Sequence, residues 1–527
     1  MKFRALQFVA VSLCAGATSV LAQTSPTPTP SNNINNNVAA APRTHVERFS
    51  TPEMRAEREE STATAKLNVN PNDADALNAR SVARMRFGRY REALEDLRRA
   101  VALQPANADY QANLGYVFWK LGRPAEAIAA ERAAVKLDDK NFTAHYQLGR
   151  FLLRSGASDP ALLKEAAAHL ARALEIEPRQ PETRFELIAV YRALGDASQA
   201  AAQLSILQDA RPSDPRITYI NALLASDRGD LNTAIAGFRE ALRRDASLVG
   251  AWQDLGVAFI KQQRWSEAVE TFAELTKRQS DSVDAAYFHA LALYNAGRAE
   301  EAEREARRAL RLDAGASAAH TLLGIILFTR GGASVEARDA LTQATALDAS
   351  NFDAYYYLGR VQGDMKDYAN AARSLGAAVK LNPQHLFARF LYGYALEVTG
   401  ELDAAMNEYQ SLIKLNESSA FGQLGLGALL VKQNKLDEAI AALGRAISLD
   451  ASIFEAHWTL GRALALAKRY PEAVEAFEKA VALAPERSDG HYQLGLALQR
   501  AGRAEEAKRE LDTAARITTA FRTGTTP

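Results

Sequence analysis

Four of the eight histidines recur at one register of a long period, and their type and spacing could bind a metal ion. Two ligands on one helical face would require a His-x-x-x-His pair, and the sequence contains none. A histidine that recurs with a repeat is more typical of a packing position. We therefore expect no metal site at this register, which is occupied by His145, His320, His457 and His491.

Signatures of catalysis are also missing from the sequence. It contains no Gly-x-x-x-x-Gly-Lys phosphate loop and no Gly-x-Ser-x-Gly nucleophile motif. The single cysteine, Cys14, lies in the first apolar run, so neither a thiolate nucleophile nor a cysteine-based metal site is indicated for the rest of the chain. The sequence predicts a protein that is not an enzyme and binds no cofactor.

Aromatic side chains and arginines recur at two linked registers and could bind a partner. The aromatic register holds Tyr146, Phe185, Tyr219, Tyr287, Tyr356, Phe390, Trp458 and Tyr492, and the second register, four residues later, holds Arg150, Arg360 and Arg462. Residues four apart share one face of a helix. Tyr, Trp and Arg are the side chains that most often anchor protein interfaces. An alternative is that the aromatic residue only stiffens each repeat.

The elements that would position these residues form a repeat of 34 residues. An alanine marks thirteen copies: Ala93, Ala127, Ala166, Ala200, Ala234, Ala268, Ala302, Ala337, Ala371, Ala405, Ala439, Ala473 and Ala507. The spacing changes only twice, to 39 and to 35, where insertions fall between predicted helices. A second alanine follows seven residues later in ten copies, so both alanines share a helical face on which a neighbouring helix can approach closely.

The repeat resembles the tetratricopeptide repeat family. Segments such as YQLGRFL, WQDLGVAF and YYLGRVQ fill the first helix, with a shared glycine at Gly115, Gly149, Gly256, Gly324, Gly359, Gly393, Gly427, Gly461 and Gly495. Four copies depart from this glycine, with Ser81, Ile188, Ala222 and Ala290. The resemblance implies an all-α, right-handed superhelical α-solenoid of stacked antiparallel helix pairs over residues 74–520, with the first helices lining a concave groove.

The resemblance does not extend to two known binding arrangements of the family. A Lys and Asn clamp for a terminal carboxylate is not reproduced, because the corresponding residues are Asn78, Val82, Asn113 and Gln147. An asparagine ladder like that of the repeats attached to sugar-transferring enzymes is also missing. The identity of the partner therefore does not follow from the family.

The ends of the chain carry different signals. Residues 1–22 place Lys2 and Arg4 before an apolar run that ends in Val20-Leu21-Ala22, which is typical of a cleaved secretory signal peptide. A short membrane anchor is the alternative, and lipidation of Cys14 is disfavoured because Leu13 precedes it. Residues 23–51 are rich in Pro, Thr and Asn and predict a disordered linker. We expect a degenerate capping helix over 52–73 and a polar tail over 521–527.

The charge balance narrows the choice of partner. Lys plus Arg and Asp plus Glu are both 63, so the formal net charge is zero and nucleic acid is not expected as a partner. We expect an exported bacterial scaffold, periplasmic or extracellular, without a transmembrane span in the mature chain. Its concave groove would hold a peptide or a partner protein. The alternative is an adaptor for polysaccharide or cell-envelope assembly.

Overall fold

A computed structural model describes residues 52–332 and 334–523, and all regular secondary structure in these residues is α-helical. The predicted signal peptide and linker lie outside the described residues. The chain divides into two compact units between Gln279 and Ser280. The unit that ends at Gln279 contains α1 (Pro52–Val69), α2 (Ala74–Arg86), α3 (Tyr90–Leu103), α4 (Ala108–Lys120), α5 (Pro124–Leu137), α6 (Phe142–Ser155), α7 (Pro160–Ile176), α8 (Pro181–Ala193), α9 (Ala197–Ala210), α10 (Pro215–Asp227), α11 (Leu231–Arg244), α12 (Val249–Lys261) and α13 (Trp265–Arg278).

The unit that begins at Ser280 continues the same arrangement. It contains α14 (Val283–Asn295), α15 (Ala299–Leu312), α16 (Ser317–Gly331), α17 (Val335–Leu347), α18 (Phe352–Asp364), α19 (Tyr368–Leu381), α20 (Leu386–Thr399), α21 (Leu402–Leu415), α22 (Ala420–Lys432), α23 (Leu436–Leu449), α24 (Phe454–Leu466), α25 (Tyr470–Leu483), α26 (Ser488–Arg500) and α27 (Ala504–Thr523). From α2 onward the helices form consecutive pairs, in which even-numbered helices are the first and odd-numbered helices the second. The predicted all-α stack of helix pairs is confirmed.

The turn between the two helices of a pair depends on a residue in the left-handed backbone region. Gly88, Gly122, Gly297 and Gly502, which the sequence places in these turns, have φ between 72° and 81°. Glycine adopts this region without steric cost and is common just after a helix. At four corresponding positions another residue adopts it instead: Gln263, Lys366, Asn434 and Lys468.

The thirteen alanines of the second helices are all buried, with at most 3% of each side chain exposed. Each helix packs against the helices before and after it within its unit. Because alanine projects only a methyl group, two neighbouring helices can pack closely around it. The alanine period therefore marks the packed face of every second helix, as the sequence indicates.

The shared glycines of the first helices receive a large side chain from the second helix of the same pair. A Cβ atom added at Gly256 would lie only 2.4 Å from the ring of Phe272, and one at Gly359 only 2.5 Å from Leu375. These contacts leave no room for a larger residue unless its partner moves. Ile188, which replaces the glycine in α8, is nevertheless buried in a cluster with Leu204.

Glu131 departs from this packing rule. It lies in α5 at the position where most second helices carry Leu, Phe or Tyr, and it occupies the space beside Gly115. Its side chain is completely buried, and neither carboxyl oxygen has a hydrogen-bond partner among the described residues. Burial raises the pKa of Glu131 well above its ordinary value of 4.5.

The two terminal helices differ from the pairs between them. Helix α1 buries Ala56, Ala63 and Leu67, and its Glu60 pairs with Arg84 and Arg89 of the first pair. At the other end α27 continues to Thr523, three residues past the boundary at 520 that the sequence indicates. The final helix is therefore 20 residues long, longer than the other second helices.

Candidate partner-binding surface

Successive first helices lie side by side within each unit and are linked by polar contacts. The side-chain amide of Asn113 donates to Asn78 over 2.8 Å, and Arg192 pairs with Asp227 over 2.6 Å. In the other unit Lys432 pairs with Glu397 over 2.9 Å. We call the side of the first helices that carries the predicted aromatic and arginine registers the first-helix face.

Two of the predicted aromatic residues are not available on this face. Tyr356 is only 8% exposed, with its ring stacked on Phe352 at 5.7 Å and close to His385 at 5.0 Å. Phe390 is 4% exposed and contacts Phe421 of the next first helix at 5.2 Å. Aromatic neighbours from the same and the following repeat cover both rings, so neither offers open surface, and partner binding at these positions stays a prediction.

In the unit that ends at Gln279 the predicted aromatics are half-buried and engaged with polar groups. The guanidinium of Arg150 lies 5.1 Å from the Tyr146 ring, and that of Arg216 lies 4.1 Å from the Phe185 ring. Tyr219 donates its hydroxyl hydrogen to Asp254 over 2.5 Å. These rings are held in position by cations or by a hydrogen bond.

Asp254 belongs to a charged network on the same face. Burial raises the pKa of its carboxyl to about 6, although the hydrogen bond from Tyr219 and the positive charge of Arg192 act in the opposite direction. Asp227 adds a further negative charge nearby and raises the pKa of Asp254 as well. This part of the face therefore carries carboxylates that are already close to arginines of the same unit.

The remaining predicted residues of the other unit range from half-buried to open. Tyr287 and Trp458 are half-buried, and Arg462 extends into solvent with its guanidinium 4.8 Å from the Trp458 ring. Tyr492 is 50% exposed and offers the largest accessible aromatic surface of the predicted set. Arg360 is half-buried above a group of aromatic rings.

Arg360 borders a pocket that is formed by the first helices α16, α18 and α20 together with the second helix α19. Its guanidinium lies 5.0 Å from the Phe328 ring and 5.1 Å from the Tyr357 ring. Burial raises the pKa of Asp364, which lies one turn later on the same helix, and Arg360 counteracts that effect. The lining combines aromatic walls with one cation and one carboxylate: Phe328, Gly359, Arg360, Gly363, Asp364, Tyr368, Ala371, Leu375, Leu391, Tyr394 and Ala395.

Gly363 makes this pocket possible. A Cβ atom added there would meet no other atom within 4 Å, in contrast to the tightly enclosed Gly359 one turn earlier. Gly363 and Phe328 share a register four residues after the shared glycine, and no site residue was predicted at that register. The sequence signal for this pocket is a glycine at that register, three residues after an arginine and between the aromatic residues Tyr357 and Tyr368.

The four histidines of the metal hypothesis have a structural role. The Nε2 atom of each lies within 3.2 Å of the carbonyl oxygen six residues earlier: Asp139 for His145, Ala314 for His320, Ala451 for His457 and Pro485 for His491. Each imidazole therefore connects the start of a first helix to the preceding turn. Among the described residues no group of His, Cys, Asp and Glu side chains is arranged to bind a metal ion.

The repeat model of one family, described as tetratricopeptide repeat, matches most of the chain. The matches cover residues 78–142, 219–283, 253–317, 287–354, 358–420 and 424–488, and a second model of the same description matches 163–226 and 464–519. The chain belongs to the tetratricopeptide repeat family. No curated protein sequence matches it significantly.

Several solved structures are similar to this tetratricopeptide repeat chain. YrrB, described as a tetratricopeptide protein with an unusual peptide-binding site, is 24% identical over 36% of this chain and 96% of its own, with a TM-score of 0.34. The Cut9–Hcn1 hetero-tetramer is 14% identical over 86% of this chain and 98% of the matched chain, with a TM-score of 0.44. MamA is 23% identical over 32% of this chain and 97% of its own, with a TM-score of 0.28.

Within residues 52–332 and 334–523, every helix is either too short or too polar to cross a lipid bilayer.

Proposed function

We propose that this tetratricopeptide repeat protein is an exported, non-enzymatic scaffold that holds a peptide segment of a partner protein on its first-helix face. The observation that carries the proposal is the pocket at Gly363, which is open, lined by aromatic rings and bordered by Arg360 and Asp364. A concave site of this composition can bind one large apolar side chain of a peptide together with a polar group of that peptide's backbone.

The pocket suits an anchor side chain better than a reaction. A nucleophile would need an adjacent base, and the lining offers a carboxylate and a guanidinium among rings but no Ser, Cys or His. Arg360 can instead donate a hydrogen bond to a carbonyl oxygen of a bound peptide backbone, and Asp364 can accept one from a backbone amide. Most members of the tetratricopeptide repeat family serve as scaffolds, which is consistent with a binding role for this pocket.

Filling the pocket tests the proposal. Peptides are first selected on the wild-type chain from a random displayed library, and their affinities are then measured for Gly363→Leu. The leucine would occupy open space without a backbone clash, so the fold should be retained. One class of selected peptides should bind the variant at least about tenfold more weakly, as expected when an anchor is excluded.

Gly444→Leu is the matched control. Gly444 lies in the second helix α23, is exposed, and also has open space around an added Cβ atom. Peptide affinity should be unchanged in this variant. If every selected peptide binds the two variants equally, the pocket is not the recognition site; strong binding to a glycan array in place of peptides would favour the polysaccharide adaptor.

A further inference from the structure

In the unit that ends at Gln279, two arginines share one carboxylate, and a lysine of the preceding first helix lies near both arginines. Arg150 and Arg154 of α6 lie 3.0 Å and 3.4 Å from the same oxygen of Glu186 in α8. Lys120, at the end of α4, forms no ion pair with any described residue, and its ammonium lies 5.5 Å from the Tyr116 ring. One carboxylate against three cations leaves two positive charges uncompensated.

These charged side chains are partly shielded from solvent. The side chains of Arg150 and Arg154 are 14% and 17% exposed, and that of Glu186 is 9% exposed. Burial lowers the pKa of Lys120, and the positive charges of Arg150 and Arg154 lower it further. Burial also lowers the pKa of Arg154, against the opposing effect of Glu186. A bound anion would relieve this mutual repulsion.

Polar groups beside the cations are available to form hydrogen bonds with a ligand. Arg150 donates to Gln147 over 3.3 Å, but the hydroxyl groups of Tyr116 and Tyr146 have no hydrogen-bond partner among the described residues. Both hydroxyls lie on rings that adjoin the cations, at 5.5 Å for Lys120 and 5.1 Å for Arg150. A carboxylate that reached Lys120 and Arg154 would therefore find hydroxyl donors as well as charge.

We propose that Lys120, Arg150 and Arg154 bind the acidic side chains of a partner peptide, so that the segment recognised by this unit is rich in Asp and Glu. This inference rests on the proposed function. Farther along the unit, the first helices α10 and α12 add the carboxylates Asp227 and Asp254, so the excess of positive charge lies at α4 and α6. A site of this size suits a few carboxylates and not the long phosphate backbone of a nucleic acid.

A charge-reducing variant tests the inference. Lys120→Gln with Arg154→Gln removes the two uncompensated charges and keeps the Arg150–Glu186 pair, so the fold should be retained. Peptides selected on the wild-type chain from a random displayed library should include an acidic class. That class should bind the double variant at least about tenfold more weakly, and added salt should weaken its binding to the wild-type chain.

A second variant should act in the opposite direction. Glu186→Gln removes the carboxylate that competes for the arginines, so acidic peptides should bind it more tightly, which a merely structural role would not produce. The control is Arg243→Gln with Arg244→Gln, two exposed cations of the second helix α11 whose loss should leave peptide affinity unchanged.

The outcomes separate this inference from the proposed function. Selected peptides that are neutral or basic, or acidic peptides that bind the double variant as well as the wild type, overturn the inference and leave the scaffold proposal intact. If an oligothymidylate binds this site more tightly than any selected peptide, the acidic-peptide assignment is wrong. If no peptide at all is enriched, the scaffold proposal fails, and the inference fails with it.

Discussion

Glu131 shows what a single residue can do to an otherwise regular repeat. At its position the neighbouring pairs carry Leu97 and Leu170, which fill the space beside the preceding first helix. Glu131 fills the same space with a carboxyl group that has no hydrogen-bond partner among the described residues. Burying a polar group without a partner costs free energy, so this repeat should be less stable than its neighbours.

Replacing this carboxyl group should stabilise the protein. Glu131→Leu at neutral pH should raise the free energy of unfolding by about 1–3 kcal/mol, since it removes an unsatisfied buried polar group. The raised folded pKa means that wild-type stability falls as pH rises above 4.5, where the unfolded chain ionises and the folded chain remains protonated. The gain should therefore be largest near neutral pH and smaller below 4.5.

Urea titrations of the two proteins at several pH values provide the measurement. The control is Glu95→Leu, because Glu95 is exposed on the second helix α3 and its replacement should bring no comparable gain. An equal gain at both positions, or a Glu131→Leu gain that grows as pH is lowered, would contradict the account of a buried protonated acid.

The sequence predicts some residue positions better than others. Ala268 and its equivalents are buried as expected, because a residue that contacts its neighbours at every repeat produces a regular period. Tyr356 was expected to be open, and its burial depends on Phe352 and His385, which vary from repeat to repeat. Gly363 creates a pocket only because the residues around it are aromatic, so a period alone could not indicate it.

The helix pair is the element that the sequence defines best. In several repeats the residue four positions before the shared glycine contacts the carbonyl oxygen six residues earlier: Trp252 donates to Ala246 over 3.0 Å, and Arg389 donates to Pro383 over 3.0 Å. Histidines form the same contact in four other repeats. In these repeats a side-chain nitrogen thus connects the first helix to the turn before it.

Overpacking one pair should destabilise its neighbours first. Ala268→Leu places a larger side chain at a completely buried position of α13 and should cost about 1–3 kcal/mol. Because repeats interact mainly with adjacent repeats, amide hydrogen exchange should accelerate in α12 and α13, then in α10 and α11, and least in α2.

Ala236→Leu provides the comparison. Ala236 is exposed on the second helix α11, so the same substitution should leave exchange unchanged. Exchange that accelerates uniformly from α2 to α13, or equally in the two variants, would contradict packing through the alanine face.

Considered over its full length, the chain combines a predicted export signal with two compact units of helix pairs. The signal lies outside the described residues, and its processing is a prediction from sequence. Cleavage after Ala22 should give a mature chain that begins at Gln23, as the small residues at the end of the apolar run indicate. Amino-terminal sequencing of the exported protein measures this directly, and a chain that retains Met1 or begins at a lipidated Cys14 would contradict export as a soluble scaffold.

The central claim is that partners bind the first-helix face, and site-specific photocrosslinking in the producing cells tests it most directly. A benzophenone side chain replaces Tyr492 or Tyr116 on that face, or Glu475 on an exposed second helix as the control. The account predicts partner adducts at Tyr492 or Tyr116, identified by mass spectrometry, and few or none at Glu475. Adducts that form equally or only at Glu475 would place recognition on the second helices and contradict the account.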